Sequence, residues 1–243
     1  MQPASGSSRQ LRWLELAGVT LFFGLAAVTI AHLTVAWLAL PTAPIAKTAV
    51  VAGAMLAALL FADLASGLVH WAADNWGSAD WPILGSAFIE PFRMHHLDAK
   101  DITHHAFLEL NGNNCIVSLP LFWVAQYSLS LDLFGLFAGT FWLGTAIWVL
   151  ATNQFHAWAH ADVAPAAARW LQRHGLILSA PHHDHHHALP HASHYCITTG
   201  WLNSPLRALR VFEALEWSIT RLTGVQANHH RVRQYGNSSA EPT

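Results

Sequence analysis

Residues 181–203 read PHHDHHHALPHASHYCITTGWLN, and this stretch decides what kind of protein the chain is. Histidines stand at His182, His183, His185, His186, His187, His191 and His194. A neutral imidazole offers a lone pair near pH 7 and is the commonest protein metal ligand. The cluster is internal, interrupted, and followed by the ordered-looking ITTGWLN segment, which sets it apart from an appended polyhistidine tag. It reads as part of a metal site.

The rest of the chain tells where such a site would sit. Charged residues make up 11% of the 243, against roughly 25% in ordinary soluble domains. Hydrophobic residues make up 53% and Trp occurs 12 times, a composition that points to a membrane protein. The net charge of -2 leaves no basic surplus for nucleic acid. Cys115 and Cys196 form neither a disulfide framework nor a CxxC pair. Both fall in segments expected on the cytoplasmic side, where thiols stay reduced.

Residues 1–14 are expected as a disordered tail, 15–225 as one membrane domain and 226–243 as a second polar tail. Residues 16–40 contain no Asp, Glu, Lys or Arg, long enough for a retained membrane span rather than a cleaved leader. His32 inside it reads as a packed, hydrogen-bonded residue. After Pro41 and Pro44, residues 48–73 form a second span broken only by Asp63, a carboxylate read either as functional or as a helix–helix hydrogen-bonding residue. His70 lies seven residues beyond Asp63 and Asp74 four beyond that, so all three share a helical face. Residues 116–131 and 133–161 read as a third and a fourth span, or as one re-entrant pair. Asp132 and Gly135 allow the turn between them. His156 and His160, at i and i+4, project from one face of the last span, with Asn153 a turn earlier. HExxH is absent.

Residues 166–178 carry Arg169 and Arg173 opposite Trp170 and Leu171, as expected of an interfacial helix, with His174 at its surface. Ser204 and Pro205 start a final amphipathic helix along Leu206, Leu209, Phe212, Leu215, Ile219 and Leu222, closed by Gly224. His229, His230, Arg231 and Arg233 are expected in solvent. In a four-span chain every Lys or Arg except Lys47 falls on one side, which the positive-inside rule makes cytoplasmic. Both termini and every histidine pair fall on that side too. The fold class is therefore all-α: a polytopic membrane protein of about four transmembrane helices, with a histidine-rich two-metal site at the cytoplasmic face and an amphipathic C-terminal helix.

One metal needs three or four ligands, and the candidates exceed ten, so two metals are more economical than one. Sulfur ligands are lacking, which argues against iron–sulfur clusters and structural zinc. Imidazole-rich ligation suits iron used with dioxygen, and a membrane-face site suggests a substrate arriving from lipid. The reaction class is oxygen-dependent oxidation of an acyl or alkyl chain.

The segments ADLASGLVHWAADNWGS (62–78), PFRMHHLD, ITHHAFLELNGNNC, TNQFHAWAH, HHDHHH and YCITTGWLN resemble, in order and spacing, the Kua family of lipid desaturases. The resemblance runs from about residue 60 to 225. It implies a four-span enzyme with two iron ions and O2 as co-substrate, which forms the vinyl ether of a plasmalogen from the sn-1 alkyl chain of an ether phospholipid. It places iron ligands, or residues immediately behind them, at His70, His95, His96, His105, His156, His160, His182, His183, His186, His187 and His191, with Asp74 and Asn153 at further family positions. Three positions depart from the family pattern. His104-His105-Ala106 stands in place of Arg-His-Asp, His185 is not required, and His194 replaces an aromatic. No flavin or nicotinamide fingerprint is present, so electrons come from a separate donor, by resemblance a cytochrome b5-like protein or a ferredoxin. Rival readings are a desaturase or hydroxylase acting on a phospholipid acyl chain and, from another class, a zinc transporter or metal sensor.

Overall fold

The computed structural model describes residues 9–229, and among these all regular structure is helical. The helices are α1 (Arg9–Ala39), α2 (Pro44–Asn75), α3 (Glu90–His95), α4 (Phe107–Ser128), α5 (Leu133–His160), α6 (Ala166–Arg173), α7 (Ala180–His187), α8 (Asn203–Ala208) and α9 (Val211–Thr223). A π-helical turn at Gly85–Ile89 leads into α3, and a 3-10 turn at Asp101–His104 precedes α4. The chain forms two compact units. One holds residues up to Ala62 together with His104–Gln154; the other holds Asp63–Thr103 and the residues from Phe155 onward.

Three helices, α1, α2 and α5, are long and apolar enough to cross a membrane. The shortest has 28 residues, or about 42 Å at 1.5 Å per residue, against a hydrocarbon core of about 30 Å. α4 covers the expected third span and is not of this kind. Its first two turns carry Glu109, Asn111, Asn113 and Asn114, and the apolar remainder contains Pro120.

In the first unit α1 packs closely on α4, and glycine permits the approach. A Cβ on Gly18 would stand 2.4 Å from Ile116 Cγ1, and one on Gly112 would stand 2.8 Å from Glu15 Cγ. Small residues at such crossings let backbones meet, which drives helix association where lipid removes the hydrophobic advantage. Phe22 and Phe122 meet edge to face at 5.1 Å within the shared core. A polar ladder crosses the same pair: Gln126 Nε2 donates to Thr29 Oγ1 at 2.9 Å, and His32 Nδ1 lies 2.7 Å from Gln126 Oε1. His32 is thus a hydrogen-bonding residue, as expected. Lys47 is buried, and its ammonium donates to the Trp37 and Leu40 carbonyls at 2.6 and 3.0 Å, capping the C-terminus of α1. At the start of α5, Asp132 accepts the Gly135 N–H at 2.6 Å, which fixes the expected turn.

The second unit is built around the end of α2. Trp71, Tyr195 and Phe212 form its core, joined by Leu206, Leu215 and Ile219. Asp63, read either as functional or as a helix–helix hydrogen-bonding residue, is fully buried and holds backbone. Its Oδ1 accepts the backbone N–H groups of Thr198, Thr199 and Gly200 at 3.2, 2.8 and 2.9 Å, and Oδ2 accepts that of Leu202 at 3.1 Å. Buried irregular backbone needs such partners, because it has no ladder of its own. The expected single C-terminal helix is two. Arg210 is left-handed at φ 53° and separates α8 from α9. The break turns Phe212, Leu215 and Ile219 onto the core while Leu209 and Leu222 remain exposed.

Both expected tails overlap ordered chain. Arg9 already belongs to α1, and residues 1–8 lie outside the described residues. His229, expected in solvent, is 8% exposed, with Nδ1 2.7 Å from Asn75 Oδ1 and Nε2 3.4 Å from Glu216 Oε2. His230, Arg231 and Arg233 lie outside the described residues.

Replacing Gly18 by Leu should force α1 from α4 and cost about 1–3 kcal/mol or more. Thermal unfolding in detergent will read this as a lowered midpoint, whereas the same change at Gly24, which has open space around it, should be neutral.

Candidate metal centre

Four short segments of the second unit carry the site. α2 ends in His70 and Asp74, spaced i, i+4, so both project from one face. The Arg93 guanidinium closes that helix end, donating to the carbonyls of Ala73, Trp76 and Gly77 at 3.3, 3.0 and 3.1 Å. This fixes α3 against α2, and α3 runs directly into His95 and His96. Adjacent helical residues point about 100° apart, so the two imidazoles face different directions. α5 ends in His156 and His160, again i, i+4. α7 carries His183 and His187 on one face and His186 beside them.

These side chains collect into two groups. In each, one ligand atom per residue can be chosen so that all lie within 4.8 Å of one another. The first comprises His95, His156, His160, His183 and His187; the second His70, Asp74, His96 and His186. The groups adjoin, with the rings of His96 and His187 5.2 Å apart and those of His183 and His186 5.6 Å apart.

In the first group the Nε2 atoms meet each other. His95 to His160 is 2.9 Å, His160 to His156 is 3.2 Å, His156 to His183 is 2.8 Å and His183 to His187 is 3.1 Å. A nitrogen of a neutral imidazole either donates or accepts, never both. Such atoms pair off only in twos, so a converging set of five leaves like facing like. A single cation removes the conflict, since metal–nitrogen bonds of about 2.1 Å place neighbouring ligand nitrogens roughly 3 Å apart. Burial, reinforced by the neighbouring imidazoles, holds His95 and His183 well below the usual histidine range and His187 at about 3. These rings are neutral near pH 7, the form that binds metal.

The second group shows the same conflict around a carboxylate. His70 Nδ1 donates to the Tyr195 carbonyl at 3.2 Å, and His186 Nδ1 to the Ser193 carbonyl at 2.8 Å. Carbonyls only accept, so both rings carry hydrogen on Nδ1 and present a bare Nε2. Those nitrogens face Asp74 Oδ2 at 3.6 and 3.4 Å. All three atoms are buried acceptors without a hydrogen-bond partner. His96 Nε2 lies 3.1 Å from Asp74 Oδ1. A carboxylate and two imidazole lone pairs pointed at one place in a dry interior is stable only with positive charge among them. The donor set, three imidazoles and one carboxylate, fits a divalent transition metal.

Other candidates lie elsewhere. His191 belongs to neither group; its Nδ1 donates to the His186 carbonyl at 3.2 Å, and its ring is 4.2 Å from that of His96. His182 also lies outside both groups and meets Asn203 Nδ2 at 3.0 Å. His185 and His194 stack on each other at 5.0 Å, and His182 meets His194 edge to face at 5.4 Å. His105 and Asn153 belong to the first unit: His105 Nδ1 lies 3.1 Å from Glu109 Oε1, and Asn153 Nδ2 donates to the Leu110 carbonyl at 2.9 Å. His104 closes the 3-10 turn, and His174, exposed, bonds the Trp170 carbonyl. The carbonyls at Ser193 and Tyr195 are invisible to sequence reading, because backbone groups carry no residue signature.

Residues 59–230 match the family described as the lipid desaturase domain. The chain is 44% identical over 225 residues to the plasmanylethanolamine desaturase of Myxococcus xanthus, covering 91% of this chain and 76% of that protein. It is 43% identical to plasmanylethanolamine desaturase 1 of Mus musculus, covering 88% and 79%. It is 37% identical to the chloroplastic fatty acid desaturase 4-like 1 of Arabidopsis thaliana, covering 72% and 58%. No solved structure matches.

The depressed imidazoles set a pH dependence. Above the ordinary value of 6.5 they are neutral, folded or unfolded alike. Below it the unfolded chain takes up protons that the buried rings refuse, so stability is lost as pH falls from 6.5 towards the folded value, about 3 for His187. Metal-free protein should therefore melt at progressively lower temperature on acidification below 6.5, and hold a near-constant midpoint just above it, in circular-dichroism scans.

Proposed function

The chain belongs to the lipid desaturase family, and on that premise we propose that it converts the sn-1 alkyl ether chain of a phospholipid to a vinyl ether, plasmanylethanolamine to plasmenylethanolamine. One observation carries the metal part of the reading: Asp74 Oδ2, His70 Nε2 and His186 Nε2 are buried acceptors turned toward one another. The likeness to plasmanylethanolamine desaturases over most of their length supports the substrate. We assign two iron ions, one to each group, with O2 as co-substrate.

Desaturation removes hydrogen from two adjacent carbons and, with two electrons and two protons from outside, reduces O2 to two waters. Iron supplies the oxygen chemistry that no side chain can perform on an unactivated C–H bond. The side chains hold and tune. The i, i+4 pairs His70 with Asp74, His156 with His160 and His183 with His187 would each grip an ion from a rigid helical turn. Asp74 adds the negative charge of the second group and so makes the two positions electronically unlike. The Tyr195 and Ser193 carbonyls hold His70 and His186 in the tautomer that leaves Nε2 free. The ether oxygen beside the first reacting carbon favours an electron-poor centre there.

His70, Asp74, His156 and His160 stand at the ends of two membrane-compatible helices. This supports a substrate chain entering from lipid. With α4 as a shorter fourth span, the charge distribution would put both termini and the site on the cytoplasmic side. Electrons would come from a cytochrome b5-like protein or a ferredoxin. The likeness to a chloroplastic fatty acid desaturase favours one second reading, desaturation of a phospholipid acyl chain.

Expression in a host without plasmalogens, fed alkyl ether lipid, separates the two. Acid-labile vinyl ethers by lipid mass spectrometry support the first; new acyl double bonds alone overturn it in favour of the second. Asp74→Ala should lower product about 10- to 100-fold, and pure wild-type protein should contain about two irons per chain by elemental analysis.

A further inference from the structure

We infer that Asp63, Asn203 and His182 are positioning residues of the second metal group, acting through the backbone of residues 193–203. The inference rests on the proposed metal reading and assigns His182 a role other than ligand.

Consecutive N–H groups of this irregular segment are satisfied from fixed points. Asp63 takes those of Thr198, Thr199, Gly200 and Leu202. Ser66 Oγ takes that of Ile197 at 3.1 Å. The Asn203 amide grips Cys196 on both sides, accepting its N–H at 2.8 Å and donating to its carbonyl at 2.9 Å. The second hydrogen of Asn203 Nδ2 goes to His182 Nε2 at 3.0 Å. His182 Nε2 therefore carries the lone pair of the ring but spends it on Asn203. A Cβ on Gly200 would stand 2.6 Å from that nitrogen, so the backbone approaches it as only glycine allows.

Immediately before Cys196 come the two carbonyls that matter. Tyr195 O and Ser193 O receive Nδ1–H of His70 and His186, and this alone decides which ring nitrogens are bare. Both rings are at 0% exposure, so no water can take over if the carbonyls shift. α2 supplies both ends of the linkage, Asp63 two turns before His70 on the same helix. The brace thus fixes the distance between the ligand and the carbonyl that orients it. The rings of the first group come from α3, α5 and α7, none of which contains Asp63 or the 193–203 segment.

The test is Co(II) titration of metal-free full-length chain in detergent, followed by the d–d absorption, which differs between an all-imidazole set and one containing a carboxylate. Wild type should take two equivalents. Asp63→Asn keeps one oxygen but turns an N–H2 toward the Leu202 N–H. It and His182→Ala should retain one equivalent with unchanged affinity and spectrum, and bind the other about 10- to 100-fold more weakly. His182→Gln places an acceptor where Nε2 was and should restore the second equivalent. Equal weakening of both sites, or of neither, overturns the inference; failure of Gln to rescue overturns the part assigned to His182. If Asp63→Asn does not fold, the His182 pair decides by itself. A wild-type chain that takes fewer than two equivalents overturns the metal reading itself, before any variant is compared.

Discussion

The structure depends on a conflict of like with like inside the second unit. Asp74 is 6% exposed and faces two imidazole nitrogens that have given their hydrogens to backbone carbonyls on the far side of each ring. Three acceptors aimed at each other in a dry interior would drive that interior apart. The first group repeats the pattern with nitrogen alone. Interiors arranged in this way make physical sense around cations, and the oxidation proposed for the chain would need them.

The groups divide the candidate ligands by helical geometry. Residues four apart share a face, so each of the i, i+4 pairs on α2, α5 and α7 serves one group. Residues one apart do not, so His95 and His96 go to different groups, as do His186 and His187. The His95–His96 and His186–His187 pairs thus each place one residue in each group. That arrangement keeps the groups adjoining, because a single peptide unit links a ligand of one to a ligand of the other.

Around this centre the remaining polar residues hold backbone. Arg93 closes α2 and sets α3. Asp63 holds the loop that follows the carbonyls accepting from His70 and His186. Glu216 accepts the Trp71 indole N–H at 3.0 Å, and with Asn75 it holds His229 in place. In the first unit Lys47 serves α1 and Gln126 joins α1 to α4. Asp63 and Lys47, both buried charges, serve main-chain groups that would otherwise lack partners, the strictest requirement where water is excluded.

Composition and spacing alone determined the all-helical class, the membrane-compatible helices and the residue types of the centre, because apolar runs and i, i+4 histidines are local signals. Asp74 beside His70 was equally legible. The sequence did not determine which histidines meet: His182 carries the same residue type as His183, and one step around α7 separates a hydrogen-bonding brace from a converging ring. His105 and Asn153 looked equivalent to the rest until their own partners, Glu109 and the Leu110 carbonyl, were placed. Asp63 was left between a functional and a helix-packing reading, since its partners are N–H groups some 135 residues away that no side chain announces. The break at Arg210 was hidden because a left-handed residue other than glycine carries no signal in sequence. Tertiary structure decided these points, for one reason: direction and distance between segments are set by packing, and a linear pattern of residue types holds neither.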